Sequence, residues 1–137
     1  MKQKQKIDWC IDYCANGIPC ACCGEIETSF PEYMANAHTH GLEKYGHLNF
    51  QIVLALLIHV VGKILNDIGL RVQAGEKFKS DDVLSDALAD GYNIRLLEVE
   101  EGGRKVLRIL LPDPENHLPG EKFCKYPYNR QANFRTA

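Results

Sequence analysis

The spacing of apolar side chains in the middle of the chain predicts one amphipathic helix packed against a sheet. Apolar residues recur at helical intervals over residues 61–72, and polar side chains lie between them. Just before them, residues 50–56 are apolar apart from Gln51 and contain β-branched residues, which predicts a strand buried on both faces. The apolar helical positions are Val61, Ile64, Leu65, Ile68 and Val72.

Shorter patterns predict further strands. Residues 37–41 predict a strand with His38 and His40 on the same face. Two runs, 92–100 and 105–111, are joined by a glycine-containing turn and predict a β-hairpin. Residues 80–91 fit either a capped helix or a strand. Together these elements predict an α+β fold with a mainly antiparallel sheet against one principal amphipathic helix.

The two ends of the chain differ from this core. Residues 1–30 hold most of the six cysteines, and we treat them as a Cys-rich N-terminal segment preceding a single α+β domain over 31–137. One face of a short helix is predicted by the spacing of Ile7, Cys10, Ile11 and Cys14. The proline-rich C-terminal stretch predicts an ordered loop that wraps the core.

Composition narrows the class of protein. The chain has 137 residues, 45% hydrophobic and 25% charged, with a net charge of −2, which is typical of one globular domain. The small net charge argues against nucleic-acid binding. No secretory signal and no apolar run of membrane-spanning length is visible, so we expect a cytoplasmic protein without membrane partners.

The N-terminal cysteines form a first candidate site. Cys10, Cys14, Cys20 and Cys23 could supply the four thiolates that a structural zinc ion requires. Their spacing differs from the two short pairs of a usual zinc knuckle. Free thiols, or a redox role, are the alternatives.

The histidines form a second candidate site. His38 and His40 lie on one face of the predicted strand, and His47 follows them. Glu43 could be a third ligand or a general base. Two histidines on one face with one further ligand are typical of a catalytic zinc or iron site. A pocket for a polar ligand without metal, and a purely structural role, are the alternatives.

Several segments resemble one protein family. The chain resembles the family called domain of unknown function 4262 over roughly residues 33–131. The segments that carry the resemblance are Ala37-His-Thr-His-Gly-Leu42, Gly46-His47, 72–78, 110–113 and 119–124. The resemblance implies a small bacterial or phage cytosolic domain whose activity is unassigned. It also implies that His47 and Asp113, which fall on matching positions, belong to a shared site.

The functional expectation is a small binding module. Its polar-ligand pocket would be formed by His38, His40, His47 and Asp113. One alternative is a metal-dependent hydrolase using the same histidines. Another is a module that binds a protein partner, of an immunity or counter-defence type, through the acidic stretch 76–101. The oligomeric state is left open.

Overall fold

A computed structural model describes residues 6–15, 31–101 and 103–134. Within these ranges one α-helix and six strands form an α+β fold, as the sequence predicts. None of the described helices is long and apolar enough to cross a membrane. The elements are β1 (Cys10–Ala15), β2 (Met34–His40), β3 (Phe50–Leu54), α1 (Ile58–Gln73), β4 (Val83–Leu84), β5 (Ile94–Glu101) and β6 (Arg104–Leu110).

The six strands form one mixed sheet in the order β1-β2-β3-β6-β5-β4. The pairing of β3 with β6 is parallel. The other pairings among the described strands are antiparallel. The predicted hairpin is confirmed as β5 and β6, whose register runs from Arg95 opposite Leu110 to Glu101 opposite Arg104.

The two faces of the sheet differ in chemistry. On one face, Phe50 of β3 lies beside Leu107 of β6, and both belong to the apolar core shared with Val61 and Leu65 of α1. This confirms the predicted amphipathic helix. Because side chains alternate along a strand, the next pair, Gln51 and Arg108, points to the opposite face.

Arg108 fastens the C-terminal loop to that second face. Its side chain is only 1% exposed. It donates to Gln51 Oε1 at 2.8 Å, to the Gln131 carbonyl at 2.8 Å and to the Phe134 carbonyl at 2.7 Å, and it pairs with Glu101. A buried guanidinium needs such partners. This network accounts for the ordered C-terminal wrap.

The prediction of an N-terminal helix from Ile7, Cys10 and Cys14 is wrong. The chain forms the edge strand β1, because its backbone pairs with β2 over six residues. Residues 10–15 therefore belong to the same sheet as the core. The stretch 80–91 contains only the two-residue strand β4 and a short 3-10 turn, Ala89–Gly91.

Trp9 anchors the start of β1 to the helix. The indole is buried, and its Nε1 donates to Asn66 Oδ1 at 2.9 Å. Its ring lies against Gly69, where an added Cβ would stand 2.5 Å from Trp9 Cζ2. An added Cβ at Gly62, on the same helix, would meet nothing within 4 Å.

We therefore expect opposite effects from two glycine substitutions in α1. Gly69→Ala should lower the free energy of unfolding, because overpacking costs about 1–3 kcal/mol and outweighs a helix-propensity gain of about 1 kcal/mol. Gly62→Ala should raise it by up to about 1 kcal/mol. Urea unfolding of both variants measures this. Equal stabilisation by both would contradict the packing of Trp9 on Gly69.

Candidate metal site

The pairing of β1 with β2 brings three metal-ligating residue types together. Asp12 stands directly opposite His38, and Cys10 stands opposite His40. Directly opposed residues share one face of an antiparallel pair, and residues two apart on a strand share it as well. Asp12, His38 and His40 therefore project from the same face; we call these three residues the triad.

The side-chain atoms of the triad converge. The Nε2 atoms of His38 and His40 are 2.9 Å apart. Asp12 Oδ2 lies 2.5 Å from His40 Nε2 and 3.7 Å from His38 Nε2. One ligand atom from each residue thus occupies a space in which all three lie within 4.8 Å of one another.

The triad is sheltered on one side and open on the other. The side chain of Asp12 is 11% exposed and that of His38 is 20% exposed, whereas that of His40 is 36% exposed. Burial lowers the pKa of His38, and the charges of His40 and Arg104 lower it further against the opposing effect of Asp12. These effects together favour the neutral form of His38.

These distances resemble those of a metal coordination shell. Zinc binds imidazole nitrogen and carboxylate oxygen at about 2.0–2.2 Å, so neighbouring ligands of a tetrahedral zinc lie about 3.3 Å apart. The three separations in the triad, 2.5, 2.9 and 3.7 Å, bracket that value. Two imidazoles and one carboxylate leave further coordination positions for water or substrate.

Glu43, the predicted third ligand or general base, makes other contacts. Its Oε2 accepts hydrogen bonds from Asn49 Nδ2 at 2.8 Å and from the Gly41 amide at 3.1 Å. The bond from Asn49 is the main cause of the lowered pKa of Glu43. The carboxylate that meets the histidines is that of Asp12.

His47 lies in a different set of contacts. Its Nδ1 is 2.8 Å from the Leu48 carbonyl, and its Nε2 accepts a hydrogen bond from the Phe78 amide at 2.9 Å. Its ring stacks on Phe50, with 5.3 Å between the ring centroids. Phe50 belongs to the apolar core, so the His47 ring packs on the helix side of the sheet and is not part of the triad.

Asp113 organises the C-terminal loop. Its two oxygens accept hydrogen bonds from the amides of Glu115, His117 and Lys125 at 2.8–3.0 Å. Burial acts to raise the pKa of Asp113, but these bonds outweigh it and hold that pKa at about 2. Of the four residues predicted to share a pocket, the structure brings together His38 and His40; it gives His47 and Asp113 separate partners.

The cysteines are only partly described. Cys10 is free and exposed, in register with His40. Cys14 is disulfide-bonded, so its sulfur is not the thiolate that zinc binds. Cys20 and Cys23 lie outside the described residues. A zinc ion bound by all four cysteines would require this disulfide to be reduced, and that site stays a prediction.

Asp12 is the candidate ligand that sequence reasoning missed. On a helix, Asp12 would point about 160° away from the face shared by Cys10 and Cys14. On a strand all three share a face. The available signal was the alternation of Cys10, Asp12 and Cys14, which fits a strand as well as the apolar spacing fits a helix.

The chain was compared with protein-family models, with curated proteins and with solved structures, and none of them matches it. The resemblance to domain of unknown function 4262 therefore stays a prediction. The functional argument depends on the geometry of the triad itself.

The role of Asp113 predicts a stability difference that depends on pH. The folded pKa of about 2 lies below the ordinary value of 3.8, so ionised Asp113 stabilises the fold above pH 4 and this contribution is lost as the pH falls towards 2. At pH 7, Asp113→Asn should melt at a lower temperature than the unmodified protein. This difference in melting temperature should disappear as the pH falls from 4 to 2.

Asp67→Asn is the matched control, because among the described residues Asp67 forms an ion pair with Lys63 alone, and that pair is exposed. It should change the melting temperature little at any pH. The proposed role of the Asp113 carboxylate would be contradicted if the difference in melting temperature between Asp113→Asn and the unmodified protein stayed constant from pH 7 to pH 2.

Proposed function

We propose that this protein binds a divalent transition-metal ion, with zinc as the first candidate, through Asp12 Oδ2, His38 Nε2 and His40 Nε2. The observation that carries the proposal is the convergence of these three atoms on one sheltered point of a sheet. Strand pairing positions all three residues, so little order has to be gained when a metal binds.

The number of protons that the triad can hold between its atoms favours a bound metal ion. Two Nε2 atoms 2.9 Å apart can share only one proton. The carboxylate 2.5 Å from His40 Nε2 competes for the same proton. At least one nitrogen lone pair and the lone pairs of Asp12 Oδ2 then lie in the same small space. A cation there would satisfy several of them together.

The donor set indicates the class of metal. Calcium and magnesium prefer shells made of oxygen ligands. Imidazole nitrogen suits zinc, copper, iron and nickel, and two histidines with one carboxylate form a known face for zinc or iron(II). The site therefore differs in ligand type from the four-cysteine site predicted from the N-terminal sequence.

A metal-dependent hydrolase is the second candidate function. The observation that favours it is the one-third exposure of His40, which leaves the remaining coordination positions open to solvent. Asp12, His38 and His40 would hold a zinc ion there, and the ion would supply Lewis acidity that makes water a better nucleophile near neutral pH.

We expect purified protein to bind about one zinc per chain. His38→Asn, His40→Asn and Asp12→Asn should each weaken zinc binding by more than about 100-fold, because even changes outside the ligand shell cost 10–100-fold. Titration calorimetry and elemental analysis measure this. His59→Asn is the control, because His59 lies exposed on α1.

Substitutions at Cys10 and Cys14 separate the two candidate metal sites. Zinc that is kept in Cys10→Ser and Cys14→Ser but lost in Asp12→Asn supports the triad. Zinc binding that is lost in Cys10→Ser and Cys14→Ser but kept in Asp12→Asn would contradict the proposal. Circular dichroism of every variant shows whether a loss of zinc comes from a loss of fold.

The hydrolase candidate has its own test. Zinc-loaded protein should hydrolyse p-nitrophenyl acetate faster than protein treated with a chelator, and His40→Asn should lose that difference. A rate that is the same with and without zinc would contradict hydrolysis while leaving metal binding standing.

A further inference from the structure

A basic groove lies beside the triad. It is a cavity of about 330 Å³. Two of the side chains that line it, Arg104 and Lys105, are cationic and exposed. The lining residues are Glu43, His47, Leu48, Asn49, Arg104 and Lys105. We call this cavity the Arg104 groove.

Strand order and side-chain contacts connect the groove to the triad. Strand β3 lies between β2, which carries His38 and His40, and β6, which begins at Arg104. Asn49, just before β3, accepts a hydrogen bond from Thr39 Oγ1 at 2.9 Å, and Thr39 stands between the two histidines. Because His40 ends β2 whereas Phe50 and Arg104 begin β3 and β6, the groove and the triad lie at the same end of the sheet.

A hydrogen bond agrees with this placement. Glu43, which lines the groove, accepts a hydrogen bond from the Gly41 amide at 3.1 Å. Gly41 directly follows His40, the last residue of β2. The Glu43 end of the groove therefore lies beside the end of β2 that carries His40.

The cations of the groove are available for a ligand. Among the described residues, neither Arg104 nor Lys105 forms an ion pair within 4.0 Å. Glu43 supplies one negative charge, and its carboxylate is already held by Asn49 and Gly41. Both nitrogens of His47 are engaged as well. The groove keeps a net positive charge.

We propose that the Arg104 groove binds the anionic group of an oxyanion ligand, a carboxylate or a phosphate, which lies next to the metal held by the triad. This inference rests on the proposed metal site, since it places the ligand between a metal and a guanidinium. The fork of donors on Arg104 matches two oxygens of such a group, and Lys105 adds a second positive charge. A metal would attract the same anion from the other side.

Paramagnetic cobalt(II) provides a direct test of ligand position. Protein carrying one equivalent of cobalt is titrated with inorganic phosphate, and in a second arm with acetate. We expect the phosphorus-31 signal of phosphate, or the methyl proton signal of acetate, to broaden because the anion binds close to the metal. Zinc-loaded protein, which is diamagnetic, is the reference for broadening without proximity to cobalt.

Two charge-removing variants test the groove. Arg104→Gln should weaken anion binding by about tenfold, since one charge-assisted hydrogen-bonding group is lost. Lys122→Gln removes the same charge from an exposed position outside the groove and should leave binding unchanged. Cobalt affinity should be the same in both variants, because neither residue belongs to the triad.

The outcomes separate the two proposals. Cobalt binding with broadening that falls in Arg104→Gln alone supports the groove. Cobalt binding with no broadening, or with broadening equal in both variants, overturns the groove and leaves the metal site standing. Protein that binds no cobalt or zinc overturns the metal site, and the groove proposal fails with it. Broadening by only one anion identifies carboxylate or phosphate as the ligand group.

Discussion

The antiparallel pairing of β1 with β2 is the interaction on which the candidate site depends. In the observed register Asp12 faces His38, and a slip of one residue would turn the Asp12 side chain to the helix side of the sheet. Trp9 holds the start of β1 against α1 through its ring contact with Gly69 and its hydrogen bond to Asn66. The packing of a core tryptophan and the placement of the Asp12 carboxylate are therefore parts of the same constraint.

The strand that carries the two histidines is fixed from both sides. Thr39, buried between them, accepts a hydrogen bond from the Phe50 amide at 3.0 Å and donates to Asn49. Its side chain points toward the core, so His38 and His40 must point away from it. The sheet thus presents an apolar face to α1 and a polar face that holds the triad at one edge and the buried Arg108 network nearer its centre. A site on a rigid sheet is positioned more accurately than one on loops.

Sequence patterns predicted the elements whose periodicity is long and regular. Helix α1 follows from such a pattern. The β5–β6 hairpin follows instead from the glycine-containing turn between two runs, and its register was not predicted. The N-terminal strand was not predicted, because Cys10 and Cys14 share a face in a helix and in a strand alike, so their spacing does not discriminate between the two. Asp12, halfway between them, is the residue whose direction differs, and its role became visible only through pairing with β2. The separate contacts of His47 and Asp113 include hydrogen bonds from the amides of Phe78 and Lys125, which lie 31 and 12 residues further along the chain, and no local pattern encodes these contacts.

X-ray absorption at the zinc edge of the zinc-loaded protein tests the central claim most directly, because it measures the ligand atoms themselves. The triad predicts a shell of nitrogen and oxygen at about 2.0–2.2 Å, with the outer-shell scattering of two imidazole rings. A sulfur shell at about 2.3 Å, as four cysteines would give, or a spectrum without imidazole scattering, would contradict coordination by Asp12, His38 and His40.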